Sequence, residues 1–395
     1  MVVRPAAGGM KEHVLALSAG LIEAGHSVEV AAPADSAVAE AAAAAGLAVR
    51  AIPLVGPLHP LHDSAAIAAL RGVVHAGGYD LVHAHGFKAG FVGRLGARLG
   101  GARAFVLTAH NHVLFRGDTQ GSAKSRYRFV ERSLSGLVTR YIAVSDSICR
   151  ELVEGYGLPA ERVTTIYNGV DPAPFTAPTD RAMARATLSL PADDVVVVGL
   201  AARFSAQKGL RHLIAAVPTL REELRALGRE VVVVIGGSGP LESELREQAV
   251  AVEASGTIRW PGYVTDMPAF LSALDVYVSP AETEALGIGL IEAALAEVPT
   301  VATNVGGVSE VVVEDETGLL VPAANPKALA AAVAAFVRRP ERARAMARAA
   351  RERCLVEFAP ERMIARTLEV YAEALPEGSA GLSDALAEGA GAASS

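Results

Sequence analysis

Short runs of β-branched residues alternate with Ala- and Leu-rich amphipathic stretches along almost the whole chain, and this alternation restricts the fold more than any other feature. Runs of about four to eight such residues suit strands, longer amphipathic stretches suit helices, and strands separated by helices pair in parallel. The pattern predicts a first series of strands at 27–32, 47–52, 80–84, 104–108, 140–144 and 163–166. A second series is expected at 195–200, 231–236, 257–260, 275–279, 300–303 and 318–321. Each series makes one doubly wound sheet, so the fold class is α/β with two Rossmann-like domains. The two halves share an order of elements and no sequence period.

Between the series lies Tyr167-Asn168-Gly169-Val170-Asp171-Pro172-Ala173-Pro174, whose turn residues and prolines stop any element from running through. The boundary belongs there, giving an N-terminal domain over 1–170 and a C-terminal domain over 171–358. A last helix follows over 359–375, and 376–395, dominated by Gly, Ala and Ser, is expected to be a disordered tail. At the other end, Gly8-Gly9 reads as the turn into a helix with Val14, Leu17 and Leu21 on its apolar face. Only Met1-Val2-Val3 is left for the strand before that turn, which is short for a central strand. The expectation is a natural start several residues upstream.

Composition excludes several classes. Apolar residues make up 51% and charged residues 20% of the 395, enough for buried sheets and too apolar for a disordered chain. The longest apolar run, 195–202, is far short of a membrane span and no signal-type core opens the chain, so the expected location is cytoplasmic. Cys149 and Cys354 make no disulfide framework, and no Cys/His group has zinc spacing. The net charge of −7 argues against nucleic acid as a partner. Residues 86–140, however, carry ten basic and two acidic side chains. Two readings of that stretch stand side by side: solvated helix faces, or a face for an anionic partner such as a phosphorylated acceptor or a peripheral anionic membrane surface.

The residues 279–292 read as a strand end, a polar loop and a helix starting near Gly287. A helix opened by Gly287 and Gly289 presents unpaired N–H groups with no side chain to hold off a phosphate. Glu284 precedes that helix and Glu292 lies in its second turn; carboxylates beside an anion seat suit the hydroxyl groups of sugars, with plain exposed glutamates as the other reading. Arg203 and Lys208 follow the strand at 195–200, and ligands of open α/β sheets sit beyond the carboxyl ends of strands. Such cations can hold a diphosphate, Arg by a bidentate fork and Lys as a point charge. Gly236-Gly237-Ser238-Gly239-Pro240 is either a loop for backbone contacts or a plain turn, and it is not the dinucleotide fingerprint. His83, His85, His110 and His112 fall at strand ends. No carboxylate or thiol pair completes a metal site with them, and no Asp-x-Asp occurs, so neither a metal nor a cofactor is expected. For His85 or His112 taken singly, the expected role is a hydrogen-bonded structural one.

These pieces together resemble the family 4 retaining glycosyltransferases. The likeness rests on Gly8-Gly9-Met10 with His13, Val82-His83-Ala84-His85, Thr108-Ala109-His110, Val144-Ser145, Tyr167 to Asp171, Arg203 through Lys208-Gly209, Gly237 to Pro240, Pro261-Gly262-Tyr263-Val264, Glu284 to Glu292, and Gly306-Gly307-Val308 with Glu310. It runs to about Leu375. The resemblance implies the GT-B architecture, two Rossmann-like domains facing a cleft, and a nucleotide-diphosphate sugar as donor. It implies that Arg203 and Lys208 grip the diphosphate, that Glu284 meets the donor sugar and Glu292 the ribose, and that N–H groups at Gly287, Ile288 and Gly289 meet phosphate and sugar. The backbone near Tyr263 and Val264 would meet the base, Gly9 would approach the phosphate, and His110 would stand beside the reacting sugar. The helix over 360–375 would cross back to the first domain and act with 168–174 as a hinge.

One position departs from the family: Glu297 stands where members carry a glycine that ends the helix, which implies a strained or differently closed turn. A metal-independent, retaining transfer to an acceptor sugar, lipid-linked sugar or other small molecule, in cell-envelope polysaccharide or glycolipid synthesis, is the function expected. A nucleotide-sugar epimerase and a non-catalytic sugar-nucleotide binder are the alternatives; a phosphorylase would need a lysine for pyridoxal phosphate, and nothing marks one.

Overall fold

The computed structural model describes residues 1–6, 8–54, 56, 59–114, 121–176, 179–191 and 195–376. The chain divides into two compact units, one made of Met1–Gly169 with the segment that starts at Ala359, the other of Val170–Phe358. Of the tail expected over 376–395, residues 377–395 lie outside the described residues.

The first unit holds β1 (Val2–Val3), β2 (Glu29–Ala32), β3 (Ala48–Ala51), β4 (Leu81–His85), β5 (Ala104–Ala109), β6 (Arg140–Ala143) and β7 (Val163–Thr165). They form one parallel sheet in the order β3-β2-β1-β4-β5-β6-β7. The two-residue β1 is central: Val2 pairs with Ala31 on one side and Ala84 on the other. The second unit holds β8 (Val195–Ala201), β9 (Glu230–Gly236), β10 (Ile258–Gly262), β11 (Val276–Ser279), β12 (Thr300–Thr303) and β13 (Leu319–Val321), parallel in the order β10-β9-β8-β11-β12-β13.

Both sheets reverse direction beside their first strand, between β1 and β4 and between β8 and β11. Loops leaving the carboxyl ends of such a pair diverge to opposite faces and leave a crevice, where ligands of this kind of fold bind. The strands are apolar throughout because helices cover both faces: Val196, Val197 and Val198 of β8 are all buried. The closing helix Pro360–Ala374 belongs to the first unit, where Met363, Leu368 and Tyr371 join Leu17, Leu21, Val106 and Ile142 in one core. Each such side chain contributes about 1.5–3 kcal/mol by leaving water. Among the described residues, no helix is long and apolar enough to cross a membrane.

Candidate active site

In the second unit the loops after β8 and β11 are joined through their backbones. The Gln207 carbonyl accepts hydrogen bonds from the N–H groups of Glu282 and Thr283, at 2.8 and 3.3 Å. Gly209 makes the approach feasible: it has φ +61°, and a Cβ there would fall 1.9 Å from the Pro280 oxygen. The loop after β12 is tied to the same place, since Thr303 Oγ1 donates to the Ala281 oxygen at 2.5 Å and the Gly307 N–H to the Glu284 oxygen at 3.1 Å.

This framework fixes a small cavity of about 40 Å³ at the switch point, lined among others by Ala202, Lys208, Tyr277, Ser279, Glu284, Gly287 and Gly289. Lys208 Nζ donates to Glu284 Oε2 at 2.5 Å, and the lysine side chain stays about one third exposed. Gly287, at φ +100°, caps the helix Ile288–Leu295. Its carbonyl takes the N–H groups of Leu290 and Ile291, so those of Ile288 and Gly289 have no protein acceptor among the described residues. Of these two residues Gly289 lines the cavity, so a free N–H donor and the Lys208 ammonium share one space, as an anion seat requires. Arg203 is exposed, and among the described residues its guanidinium has no ion-pair partner. Glu292 is half-buried in the second turn of the helix, close enough to Tyr277 to act on it. Burial, then the carboxylates of Glu292 and Glu284, push the Tyr277 phenol well above its ordinary range, so it stands in the site as a neutral O–H. Val264 lies just beyond β10, its side chain over Gly236.

Sequence reasoning did not single out Tyr277. Its signal was the period of two along β11, which sends Tyr277 and Ser279 to the same side, and both line the cavity.

In the first unit, Gly9 opens the helix Gly9–Glu23 behind Gly8, and His110 follows β5. The structure gathers His110 with His85 from the end of β4 and His13 from the first helix, all buried. His85 Nδ1 and His110 Nε2 are 3.1 Å apart, and the His13 ring meets both neighbours edge-on at centroid distances of 5.4 and 4.8 Å. His83 lies behind them, bonded through Nδ1 to Tyr371 Oη at 2.7 Å and through Nε2 to Thr108 Oγ1 at 2.6 Å. Burial lowers the pKa of all four imidazoles; His13 falls to about 4, against a small upward pull from the Asn168 amide. They are neutral at pH 7.

His112 has the structural role expected of it. Its Nδ1 pairs with Glu151, whose other oxygen accepts the N–H groups of Val113 and Leu114 at 2.7 and 2.6 Å. His85 is hydrogen-bonded as well, through Nδ1 to His110 and through Nε2 to the Met1 sulfur at 3.4 Å, and it is part of the cluster. The basic stretch over 86–140 is less of a surface than its composition suggests. Lys88 is buried on Asp63, and Arg94 is buried on Glu131 at 2.9 Å. Among the described residues the exposed cations of the stretch are Arg98, Arg103 and, on the helix Gly121–Leu134, Arg126, Arg128 and Arg132.

Comparison with known proteins fits this geometry. Residues 7–174 match the family model described as Glycosyltransferase Family 4, and residues 185–353 match Glycosyl transferases group 1. The D-inositol 3-phosphate glycosyltransferase of Saccharomonospora viridis is 32% identical over 396 residues, spanning 93% of this chain and 90% of that one. The alpha-maltose-1-phosphate synthase of Mycolicibacterium smegmatis is 31% identical over 325 residues, 77% and 81% of the two chains. Among solved structures, Anabaena HepE in complex with UDP and glucose superposes with a TM-score of 0.81 at 20% identity, over 94% of this chain and 99% of that one. With both halves matched and relatives aligned along nearly its whole length, the chain belongs to the family 4 glycosyltransferases and has their GT-B fold.

Proposed function

We propose that this glycosyltransferase moves a sugar from a nucleoside-diphosphate sugar to an acceptor hydroxyl with retention of configuration and without a metal in the transfer step. The observation that carries the reading is the convergence of Lys208, Glu284 and the unpaired N–H of Gly289 on one space at the switch point of the second sheet, with the N–H of Ile288 free beside it at the same helix start. When the bond from the sugar's anomeric carbon to the diphosphate oxygen breaks, negative charge grows on the departing diphosphate. Lys208, Arg203 and two fixed N–H dipoles are the groups that take it up, and fixed donors need no reorganisation as the charge develops. That supplies in protein groups what a divalent cation on an Asp-x-Asp motif supplies elsewhere. Glu284, neutralised by Lys208, is a poor nucleophile and a good acceptor for a sugar hydroxyl. Same-face attack, with the departing phosphate taking the acceptor's proton, is therefore the preferred route to retention. Glu292 is assigned to the ribose and Val264 to the base; Gly9 and His110 keep the roles the resemblance gives them, towards phosphate and reacting sugar.

The HepE complexes hold UDP and UDP-glucose, so UDP-sugars are the first donors to test. Relatives named for D-inositol 3-phosphate favour a phosphorylated polyol as acceptor, and Arg126, Arg128 and Arg132 suit an anionic one, including a lipid-linked sugar of the cell envelope. The experiment is a thermal-shift screen of UDP-, GDP- and ADP-sugars, followed by an assay of nucleoside diphosphate release with and without acceptor. Release should depend on acceptor, and Lys208→Ala should lower it by about 100-fold or more. Acceptor-independent release, or a Lys208→Ala variant as active as the parent, would refute the assignment.

A further inference from the structure

We propose that His13, His85 and His110 of the first unit form a binding site for a divalent transition-metal ion of the zinc class. One ligand nitrogen from each ring lies within 4.8 Å of the other two. Two imidazole nitrogens on one tetrahedral zinc ion, at about 2.0–2.1 Å each, stand about 3.3 Å from one another. His85 Nδ1 and His110 Nε2 are already 3.1 Å apart, the edge of such a tetrahedron. His13 supplies the third corner by a rotation of its ring.

The second observation is independent of that spacing. His13 is 4% exposed, yet among the described residues neither of its ring nitrogens makes a well-formed hydrogen bond, the Asn168 amide lying close enough to act on the ring and not aligned to bond it. A buried polar atom left unpaired costs about 1–3 kcal/mol, so it calls for a ligand. Beside it the Asn168 Oδ1 is also buried and unpartnered. That oxygen can accept the N–H of the ring nitrogen that does not bind metal, the support that ligating imidazoles usually have. Imidazole ligands select borderline ions such as zinc(II), cobalt(II) and nickel(II) over magnesium or calcium.

Three neutral imidazoles leave the full charge on the ion, so its fourth ligand should be an anion: hydroxide, or an acid group of a bound substrate. An ion here takes the Nε2 lone pair of His110, and micromolar zinc should therefore slow sugar transfer until a chelator is added. That consequence alone rests on the role proposed for His110.

The binding test does not need activity. Zinc titration against a chromophoric chelator should show one ion bound per chain at micromolar or lower concentration. The zinc K-edge absorption spectrum of that wild-type complex should show three imidazole ligands. A His13→Ala/His85→Ala variant, checked for fold by circular dichroism, should bind more than about 100-fold more weakly, while His62→Ala on another helix should not change binding. Fewer than three imidazoles in the wild-type spectrum, or a double variant that binds as tightly as its parent, overturns the proposal. Should the double variant fail to fold, the wild-type spectrum decides alone. Loss of the transferase reading would leave these binding results untouched.

Discussion

Glu297 follows the helix Ile288–Leu295 with φ +54°, the left-handed conformation that glycine adopts without strain. Its N–H bonds the Ala294 oxygen and the next N–H, of Val298, bonds that of Ala293, the pair of bonds that marks a Schellman ending. The turn foreseen as strained or differently closed is thus closed in the usual way and strained at one residue. Arg351 offsets part of that strain: its Nη1 donates to the Leu295 oxygen at 2.5 Å, and its Nε lies 3.6 Å from the Glu297 carboxylate. A non-glycine residue in this region costs about 1–2 kcal/mol, whereas a half-exposed ion pair is worth about 0–1 kcal/mol. Glu297→Gly should therefore raise the stability of the second unit by about 0.5–1 kcal/mol after the added freedom of the unfolded chain is counted. Glu297→Ala keeps the strain, loses the pair and should stabilise nothing. Urea unfolding midpoints of the two variants check this, and a less stable glycine variant would show that Arg351 matters more than the backbone.

At the scale of the element, the helix behind Glu284 is positioned by what its glycines lack. A Cβ on Gly289 would fall 2.4 Å from the Tyr277 hydroxyl and 3.4 Å from the ring carbon that bears it. Gly289→Ala should consequently push the helix off β11, at a cost of about 1–3 kcal/mol, and weaken donor binding with it. Adding Tyr277→Phe removes the one atom in conflict and should restore most of the stability, so a double-mutant cycle should show strong coupling; additive effects would refute the contact. The sites of the strands were legible because β-branched runs flanked by turn residues have few other uses, and the observed strand ends lie within two residues of those expected. The helix start was legible for a similar reason: Gly287 and Gly289 flank its first residue, and the N–H groups of a helix's first turn have no acceptor within the helix. The partnership of Lys208 with Glu284 was not, since it depends on Gln207 holding two loops together across 76 residues of chain. Nor could His13 be brought to His85 and His110 by spacing, because only the sheet order places the first helix beside β4 and β5. The buried pairing of Lys88 and Arg94 likewise escaped a count of charges, which cannot tell a solvated cation from one enclosed by its partner.

The molecule as a whole divides its titration unevenly between the two units. Every imidazole with a lowered pKa among the described residues, His13, His26, His83, His85 and His110, lies in the unit that contains β1–β7. Their common first cause is burial, which penalises the charged ring. An unfolded histidine titrates near pH 6.5, while folded His13 titrates at about 4. Between those values the unfolded chain binds more protons than the folded one, so stability is full above pH 6.5 and falls as pH falls. By pH 5 His13 alone should remove about 2 kcal/mol, at 1.36 kcal/mol per pH unit, and the other rings act in the same direction. Glu29, held below the usual carboxylate range by Arg50 and then by Tyr79, contributes only at lower pH. Among the described residues no imidazole of the second unit has a lowered pKa, and that unit contains the only tryptophan, Trp260, with Arg246 4.9 Å over its ring. Trp260 fluorescence therefore reports the second unit while far-ultraviolet circular dichroism reports both. Lowering the pH from 7.5 to 5 should move the earlier part of the circular dichroism transition to lower urea and leave the fluorescence midpoint nearly fixed. His13→Gln should reduce that acid shift. Transitions that moved together, or a shift confined to the fluorescence, would place the acid sensitivity elsewhere than in the buried imidazoles.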